Sequence, residues 1–296
     1  MVAWTAKNGC RFLGGMKISF IVLTYNRSDA LLAVLRSLAQ QCSADHEVII
    51  ADDGSDAGQT DLLYKNCPTF NCPVRHVWHP DTGFTAAAAR NLGAHHAQGV
   101  YLVFLDGDCV PNATFVKSHT RLAGPGLFVN GSRVLLSERL TRQVVENKLD
   151  LAAQPAAFWC GARLSGDSNK LLHVLSWPWS LFRVKQGFEW RGIRSCNLGV
   201  WRQDFVAING FDETFEGWGH EDADLVLRLS HWGVRRKNGF LATEVYHLWH
   251  RENKRDQESV NKMKVFQRMD SSQIRAEKGL HEILAEDAGR VTWLQR

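Results

Sequence analysis

Apolar runs alternate with helix-like patterns along residues 16–110 of this chain. Residues 17–23, 47–51, 74–78 and 100–105 are rich in β-branched and aromatic side chains, which favours β-strands. The segments between them repeat leucine or alanine at the spacing of an amphipathic helix. Nearly continuous apolar strands that alternate with helices predict an α/β fold, in which helices cover both faces of a mostly parallel sheet.

The sequence also predicts where two of these helices begin or end. In the first, Leu31, Leu35 and Leu38 recur at helical spacing, and we expect Ser28 to cap the first turn. The second is an alanine-rich segment over residues 85–97, which Gly99 is expected to end.

The two ends of the chain differ from this regular region. We expect residues 1–15 to be an N-terminal extension, because they lack the apolar core of a signal peptide and the first strand opens at Met16. Residues 251–296 are charged and helix-prone, which predicts a C-terminal helical appendage. Residues 111–190 are harder to read, and no apolar stretch approaches the ~20 residues that a membrane-spanning helix needs.

An aromatic segment interrupted by proline covers residues 177–182. Core packing, an acceptor-facing loop and contact with a membrane interface are all compatible with its composition. The side chains that would make the membrane contact are Trp177, Trp179 and Phe182.

Three polar clusters directly follow predicted strands, at residues 24–27, 52–55 and 106–108. Ligands of such sheets bind beyond the carboxyl ends of the strands, so we expect the clusters to share one site. The candidate ligand-binding side chains of the first two clusters are Thr24, Tyr25, Asn26, Arg27, Asp52 and Asp53.

The third cluster contains two carboxylates, Asp106 and Asp108. Their spacing of two is expected to place both on one side of the chain, while Gly107 lets the backbone turn close to a ligand. Paired hard oxygens suit Mg²⁺ or Mn²⁺. A simple turn has the same composition, but the neighbouring polar clusters favour a metal site.

Two further groups fit a nucleotide site. A carboxylate at Asp52 can accept a hydrogen bond from a base N–H or a ribose hydroxyl, although a turn also explains it. Arg90 is the one strong cation of the alanine-rich helix. We expect it to pair with a carboxylate of the rim or with a phosphate, and the alternative is a solvated surface arginine.

A second constellation covers residues 218–224, where acids follow a tryptophan flanked by glycines. Leu225, Leu229 and Trp232 then recur at helical spacing and Gly233 can end the helix, so the acids lie in its first turn. The helix dipole there favours charged carboxylates, and we expect ionised groups at Glu221 and Asp222. Capping explains one or two acids, whereas an ionised carboxylate also suits a general base.

Histidine 247 stands at the end of a later predicted strand and could complete the metal site. A structural histidine is the alternative reading of His247.

Composition limits the function classes. Hydrophobic residues make up 45% and charged residues 22%, as in ordinary globular proteins. The net charge of +4, without a dense run of Lys or Arg, argues against a nucleic-acid partner. Seven scattered cysteines without a CxxC pair argue against a zinc ribbon and indicate reduced thiols.

Taken in order, the motifs resemble those of family 2 glycosyltransferases with the GT-A fold, a Rossmann-like sheet flanked by helices. The similarity runs from Ile18 to about His250, and residues 200–250 also resemble β-1,4-galactosyltransferases and chondroitin-type polymerases. The motifs are those at residues 24–27, 52–55, 89–91, 106–108, 197–199, 209–213 and 218–222. The resemblance implies a transferase domain over 16–250, with a nucleotide-binding half (16–110) and an acceptor half (111–250).

The resemblance also implies residue roles. Thr24 and Asp52 would contact uridine, Asp106 would contact the ribose or assist the metal, and Asp108 would bind Mn²⁺ or Mg²⁺. His247 would be the metal histidine, with His250 as its alternate.

On the acceptor side, Asp222 would be the catalytic base of an inverting reaction, and Glu221 would order the site. Trp218 would stack on the acceptor sugar. One departure is His220, where many relatives have glycine, and we expect it to change the shape of the acceptor or donor site.

The expected function is transfer of a sugar from a UDP-sugar to a glycan or lipid-linked glycan, in bacterial surface polysaccharide or lipopolysaccharide assembly. We expect a cytoplasmic protein with peripheral contact to the inner face of the membrane. A nucleotidyltransferase would require a basic, glycine-rich phosphate loop after the first strand, and residues 24–27 contain no glycine. A non-catalytic subunit that binds a sugar nucleotide or glycan is the other alternative, although it would not need Asp222.

Overall fold

The computed structural model describes residues 16–175, 177, 182–251, 255–284 and 288–296. The predicted extension at 1–15 and Trp179 lie outside the described residues. The strands are β1 (Ile18–Thr24), β2 (His46–Asp52), β3 (Val74–Trp78), β4 (Tyr101–Asp106), β5 (Cys109–Pro111), β6 (Leu127–Asn130), β7 (Ser132–Leu135), β8 (Asn197–Trp201), β9 (Arg235–Asn238), β10 (Glu244–His247) and β11 (Arg290–Gln295).

The α-helices lie between these strands. They are α1 (Ser28–Ala39), α2 (Ala57–Asn66), α3 (Ala86–His95), α4 (Phe115–Leu122), α5 (Glu138–Val145), α6 (Ala156–Leu164), α7 (Arg202–Ala207), α8 (Glu221–His231) and α9 (Glu258–Met269). Short 3₁₀ turns cover Leu172–Val174 and Leu280–Glu282.

The main sheet has the strand order β11-β3-β2-β1-β4-β8-β6-β9. Strands β3, β2, β1 and β4 are parallel, as the apolar runs predict, whereas β8 and β11 run antiparallel to their neighbours. The predicted α/β fold with a mostly parallel core is therefore confirmed.

Both faces of the sheet are covered, and β1 shows how. Phe20 belongs to the core layer that contains Leu31 and Leu35 of α1, whereas Ile21 belongs to the opposite layer with Leu92 of α3. Successive side chains of a strand point to opposite faces, so a strand that is buried on both faces is mostly apolar. Ser19 is a buried polar residue of β1, and its hydroxyl donates to Glu47 at 2.6 Å.

A second sheet, with the order β5-β10-β7, carries part of the candidate site. Its register pairs His247 with Cys109, the residue after Asp108. This pairing brings together two segments that are far apart in sequence.

Two expectations about helices differ from the structure. Ser28 is the first residue of α1 rather than its cap, and its hydroxyl donates to the Gln59 carbonyl at 2.7 Å. In α8, Leu225 and Leu229 are buried as predicted, but Trp232 is about half exposed because it follows the end of the helix.

The predicted C-terminal helical appendage contains α9, but the same region also contains a strand that was not predicted. Helix α9 is followed by β11, which pairs antiparallel with β3 at the edge of the main sheet. The β-branched and aromatic side chains of Val291, Thr292 and Trp293 suit a strand.

The aromatic segment around residue 180 is exposed where the structure describes it. Trp177 is 61% exposed and Phe182 is fully exposed, so core packing does not account for these two side chains. Within the described residues, every helix falls short of the length and apolarity that crossing a bilayer requires.

Candidate functional site

A cavity of about 1070 Å³ opens at the carboxyl ends of β1, β2 and β4. This is the edge where the three polar clusters were predicted to meet. The predicted site residues in its wall are Thr24, Tyr25, Arg27, Asp53, Arg90, Asp106, Asp108, Trp218, His220, Glu221, Asp222, His247 and His250.

Two predicted ligand-binding residues, Asn26 and Asp52, do not line the cavity. The Asn26 side chain accepts a hydrogen bond from the Asp56 amide, and its backbone has a positive φ of 48°. Asp52 is buried, and its two oxygens bond the Ser55 amide and His76 Nε2, both at 2.8 Å. Both side chains stabilise the loops after β1 and β2 through hydrogen bonds outside the cavity lining. Their contact with a nucleotide therefore stays a prediction.

Asp53 lines the cavity at the carboxyl end of β2. Its carboxylate accepts hydrogen bonds from the amide and hydroxyl of Thr85, just before α3. His79 Nε2 lies 3.2 Å from the same carboxylate. Sequence reasoning missed His79, because a single histidine after a strand has no diagnostic spacing.

Arg90 links the two halves of the site. Its buried guanidinium donates to Asp106 at 2.9 Å and to Glu221 at 3.2 Å. Burial acts to lower the pKa of Arg90, but the two carboxylates outweigh it and hold that pKa above its usual value. The predicted pairing of Arg90 with a rim carboxylate is confirmed, and a solvated position is excluded.

Gly107 is required by packing. A Cβ at this position would lie 2.8 Å from the Leu23 carbonyl oxygen of β1. The close approach that glycine permits is therefore to the neighbouring strand.

The candidate metal centre consists of Asp108, His247 and His250. Asp108 Oδ2 lies 3.7 Å from His247 Nε2 and 3.3 Å from His250 Nε2. Asp106, the other predicted ligand, is instead engaged by Arg90.

Three features of these residues fit a divalent cation. Asp108 Oδ1 is buried without a hydrogen-bond partner among the described residues. Burial lowers the pKa of His247 despite the nearby Asp108, so the neutral imidazole that binds metals is favoured. His250 Nδ1 lies 2.7 Å from the Arg251 carbonyl, which leaves Nε2 free to face Asp108.

Cys109 also lies beside Asp108 and His247, which no motif of the sequence predicted. Burial and a hydrogen bond with Cys196 raise the pKa of its thiol well above the usual value. A neutral thiol is a poor ligand for Mg²⁺ or Mn²⁺, which prefer oxygen.

The candidate base, Asp222, lies in the first turn of α8 as predicted. Its charge state differs from the prediction, because burial and the adjacent Glu221 carboxylate raise its pKa to about 7. The expectation that the helix dipole keeps Asp222 fully ionised is therefore wrong: removal from water outweighs the dipole. A pKa near neutrality suits a general base, which must gain and lose a proton at working pH.

Aromatic groups line the part of the cavity where the acceptor was predicted to bind. The Arg255 guanidinium lies 4.7 Å from the centre of the Trp218 ring, so one face of that ring is already covered. The rings of His220 and Trp190 are 5.6 Å apart, and Trp190 in turn contacts Phe266. Trp190 also lines the cavity and was missed in the sequence.

Arginines of the cavity wall were missed as well. They are Arg133, Arg191, Arg194, Arg251 and Arg255. The signal available was the density of arginine around Trp190, in residues 190–194, directly before a strand. Without the fold, nothing tied this stretch to the polar clusters of residues 24–108.

Family comparisons match two parts of the chain. Residues 19–131 match the family described as glycosyl transferase family 2. Residues 181–251 match the family described as the N-terminal domain of galactosyltransferase. The two matches contain the candidate metal, base and acceptor residues.

Curated relatives have similar sequences over most of the chain. Validoxylamine A glucosyltransferase of Streptomyces hygroscopicus subsp. jinggangensis is 29% identical over 230 residues, which cover 73% of this chain and 52% of that protein. Chondroitin synthase of Escherichia coli is 26% identical over 229 residues, covering 72% and 32%. The chain thus spans about half or less of these relatives.

Solved structures show the same fold. The S. aureus TarS fragment 1–349 in complex with UDP-GlcNAc has a TM-score of 0.56 at 16% identity, covering 92% of this chain and 71% of that one. The mannosyltransferase PcManGT of Pyrobaculum calidifontis, with GDP-Man and Mn²⁺, has a TM-score of 0.52 at 16% identity, covering 92% and 67%.

Proposed function

Since this chain belongs to the family 2 glycosyltransferases and has the GT-A fold, we propose that it transfers a sugar from a UDP-sugar to a hydroxyl of a glycan. The reaction inverts the anomeric carbon and depends on Mn²⁺ or Mg²⁺. The observation that best supports this proposal is that one cavity is lined by three groups of residues. They are Asp108 with its two histidines, Asp222 with a pKa of about 7, and Thr24 and Asp53 at the ends of β1 and β2.

In the proposed step, the Asp222 carboxylate takes the proton of the acceptor hydroxyl. The acceptor oxygen bonds to the anomeric carbon on the face opposite UDP, and the bond from that carbon to the diphosphate breaks, so UDP leaves with the electron pair. Asp108, His247 and His250 would hold the cation, which would neutralise charge on the diphosphate. Arg90 fixes Glu221 beside the base through its ion pair.

The donor is proposed to be a uridine nucleotide. The solved TarS complex with UDP-GlcNAc, which aligns with 92% of this chain, supports that choice. A neighbour with GDP-Man has the same fold, so the test below compares UDP-sugars with GDP-sugars as donors.

For the acceptor, we propose a glycan or lipid-linked glycan of a bacterial surface polysaccharide. Relatives named chondroitin synthase and hyaluronan synthase support a polysaccharide setting. The exposed Trp177 and Phe182 support peripheral contact with a membrane.

The test is UDP release from a panel of UDP- and GDP-sugars in the presence of Mn²⁺, with and without candidate glycans. Asp222→Asn should retain UDP binding and lose turnover, whereas Asp108→Asn should lose metal-dependent UDP binding. Binding of UDP without release from any sugar would instead favour a non-catalytic sugar-nucleotide subunit.

A further inference from the structure

Helix α9 packs against the loop that carries Trp218. This Trp218 loop covers residues 216–220 and leads directly into α8. Asn261 of α9 is buried, and its side-chain nitrogen lies 3.0 Å from the carbonyl oxygens of both Glu216 and Gly219. The two N–H groups of one amide can therefore donate to two carbonyls of the Trp218 loop.

The two bonded carbonyls lie on either side of Trp218 in the chain. Its neighbours Gly217 and Gly219 have φ of 71° and 109°, which glycine adopts at the least cost. The same conformational freedom leaves the backbone around Trp218 able to rotate. Because a peptide unit is planar, a donor that holds its carbonyl fixes the direction of the whole unit. Asn261 thus holds one peptide unit on each side of Trp218.

The residues just before α9 restrict the same ring. Gln257 packs closely against the loop, since a Cβ at Gly217 would lie 3.0 Å from Gln257 Cγ. The Arg255 guanidinium covers one face of the Trp218 ring. A sugar that stacks on Trp218 would therefore use the opposite face, and the direction of the ring decides whether that face is accessible.

We propose that Asn261 is a positioning residue, whose side-chain amide holds Trp218 in the orientation that binds the acceptor sugar. This inference rests on the proposed function, because it assumes that the acceptor stacks on Trp218. It assigns part of the acceptor site to α9, which follows the residues matched by either family model.

The size of the effect follows from the two hydrogen bonds. Without them the Trp218 loop populates other orientations, and the apparent affinity for the acceptor falls with the fraction that remains competent to bind. Two hydrogen bonds of ordinary net strength change that fraction by about tenfold. The donor is proposed to bind at the ends of β1, β2 and β4, so UDP affinity in Mn²⁺ should stay unchanged.

The first test observes the ring directly. The full chain is labelled with 5-fluorotryptophan, and Trp218→Phe identifies the ¹⁹F NMR resonance of that ring. Asn261→Asp is nearly isosteric but has no N–H to donate, so the Trp218 resonance should shift and broaden. The resonance of Trp201, whose Nε1 donates to the Gly124 carbonyl at 2.7 Å, should stay in place. Asn261→Ala removes the amide without adding an acid, and it gives the same test if Asn261→Asp does not fold.

The second test measures transfer to the glycan that best supports UDP release in the panel of the proposed-function experiment. Asn261→Asp should raise the acceptor KM by about tenfold while UDP affinity is retained. In a Trp218→Ala background the same substitution should have little further effect, because the ring that Asn261 positions is gone. Asn66→Asp is the matched control: it removes an amide that donates to the Leu62 carbonyl at 2.9 Å outside the cavity, and it should change neither readout.

An unchanged Trp218 resonance in the Asn261 variants would overturn the inference, as would an unchanged acceptor KM. Loss of UDP affinity, or fully additive effects of the Asn261 and Trp218 substitutions, would also overturn it, because a general structural role would then explain the data. If the wild type releases UDP from no sugar nucleotide while its Trp218 resonance depends on Asn261, the proposed transferase function fails and the positioning of the ring stands.

Discussion

The burial of Asp222 predicts how transfer depends on pH. Its pKa is raised to about 7, chiefly because burial penalises the carboxylate and then because Glu221 is adjacent. The base must be ionised to act, and a group with this pKa is about one tenth ionised at pH 6 and about nine tenths at pH 8. We therefore expect kcat/KM to rise about tenfold between these two pH values.

The sharper test is Glu221→Gln. Removing the Glu221 charge lowers the pKa of Asp222, because one of the causes of its elevation is lost while Arg90 remains beside it. The rise of kcat/KM should then move to lower pH than in the wild type. A bound cation shifts the pH profiles of the wild type and of Glu221→Gln in the same direction. The difference between the two profiles therefore measures the effect of the Glu221 charge alone.

Asp222→Asn provides the control for both profiles. It should remove the pH-dependent rise and lower kcat by roughly 10²-fold or more, while UDP affinity is retained. A near-wild-type kcat in this variant would show that Asp222 only caps a helix.

Thermal unfolding gives a readout that does not require the substrate. The folded protein favours protonated Asp222, so between about pH 4 and pH 7 the folded state retains a proton that the unfolded state releases. This contribution to stability declines as pH rises through that window. Asp222→Asn should therefore gain in Tm relative to the wild type as pH increases from 4 to 8. A flat kcat/KM profile together with no such gain would refute the burial argument.

Four further predictions concern other parts of the molecule. EDTA should abolish transfer and Mn²⁺ should restore it, because Asp108, His247 and His250 form the candidate metal centre; full activity in EDTA would exclude that role. UDP should raise Tm more than GDP or CMP, and the reverse order would refute the uridine assignment. Pelleting with anionic liposomes at low salt should fall in a Trp177→Ser, Phe182→Ser double variant, and no pelleting of the wild type would refute membrane contact. Arg268→Met should destabilise the fold by about 3–5 kcal/mol, since it leaves the buried Asp212 without its ion-pair partner, whereas Asp224 keeps Arg228; urea unfolding measures this, and a loss below about 1 kcal/mol would contradict it.

The sequence predicted the sheet and its binding edge because both depend on local patterns. Apart from Ser19, strand β1 is apolar from Ile18 to Leu23, and its polar continuation at Thr24 necessarily falls at the carboxyl end. The same reasoning located Asp53 and Asp108 on one edge. Such inferences need only strand direction, which an alternating α/β pattern fixes.

Properties that depend on several distant segments could not be read from sequence. The pairing of β11 with β3 joins residues more than two hundred positions apart. The pKa of Asp222 depends on burial by surrounding residues, whereas the sequence revealed only its place in a helix.

His220 occupies a position at which many relatives have glycine, and its backbone conformation explains that preference. Its φ of 70° is left-handed, a conformation that glycine adopts at the least cost, which explains why glycine suits this position. The backbone turn before α8 is nevertheless formed with histidine here. What changes is the side chain, whose ring lies beside Trp190 in the cavity wall. The histidine therefore adds an imidazole ring to the cavity wall, while Glu221 and Asp222 of α8 still line the cavity.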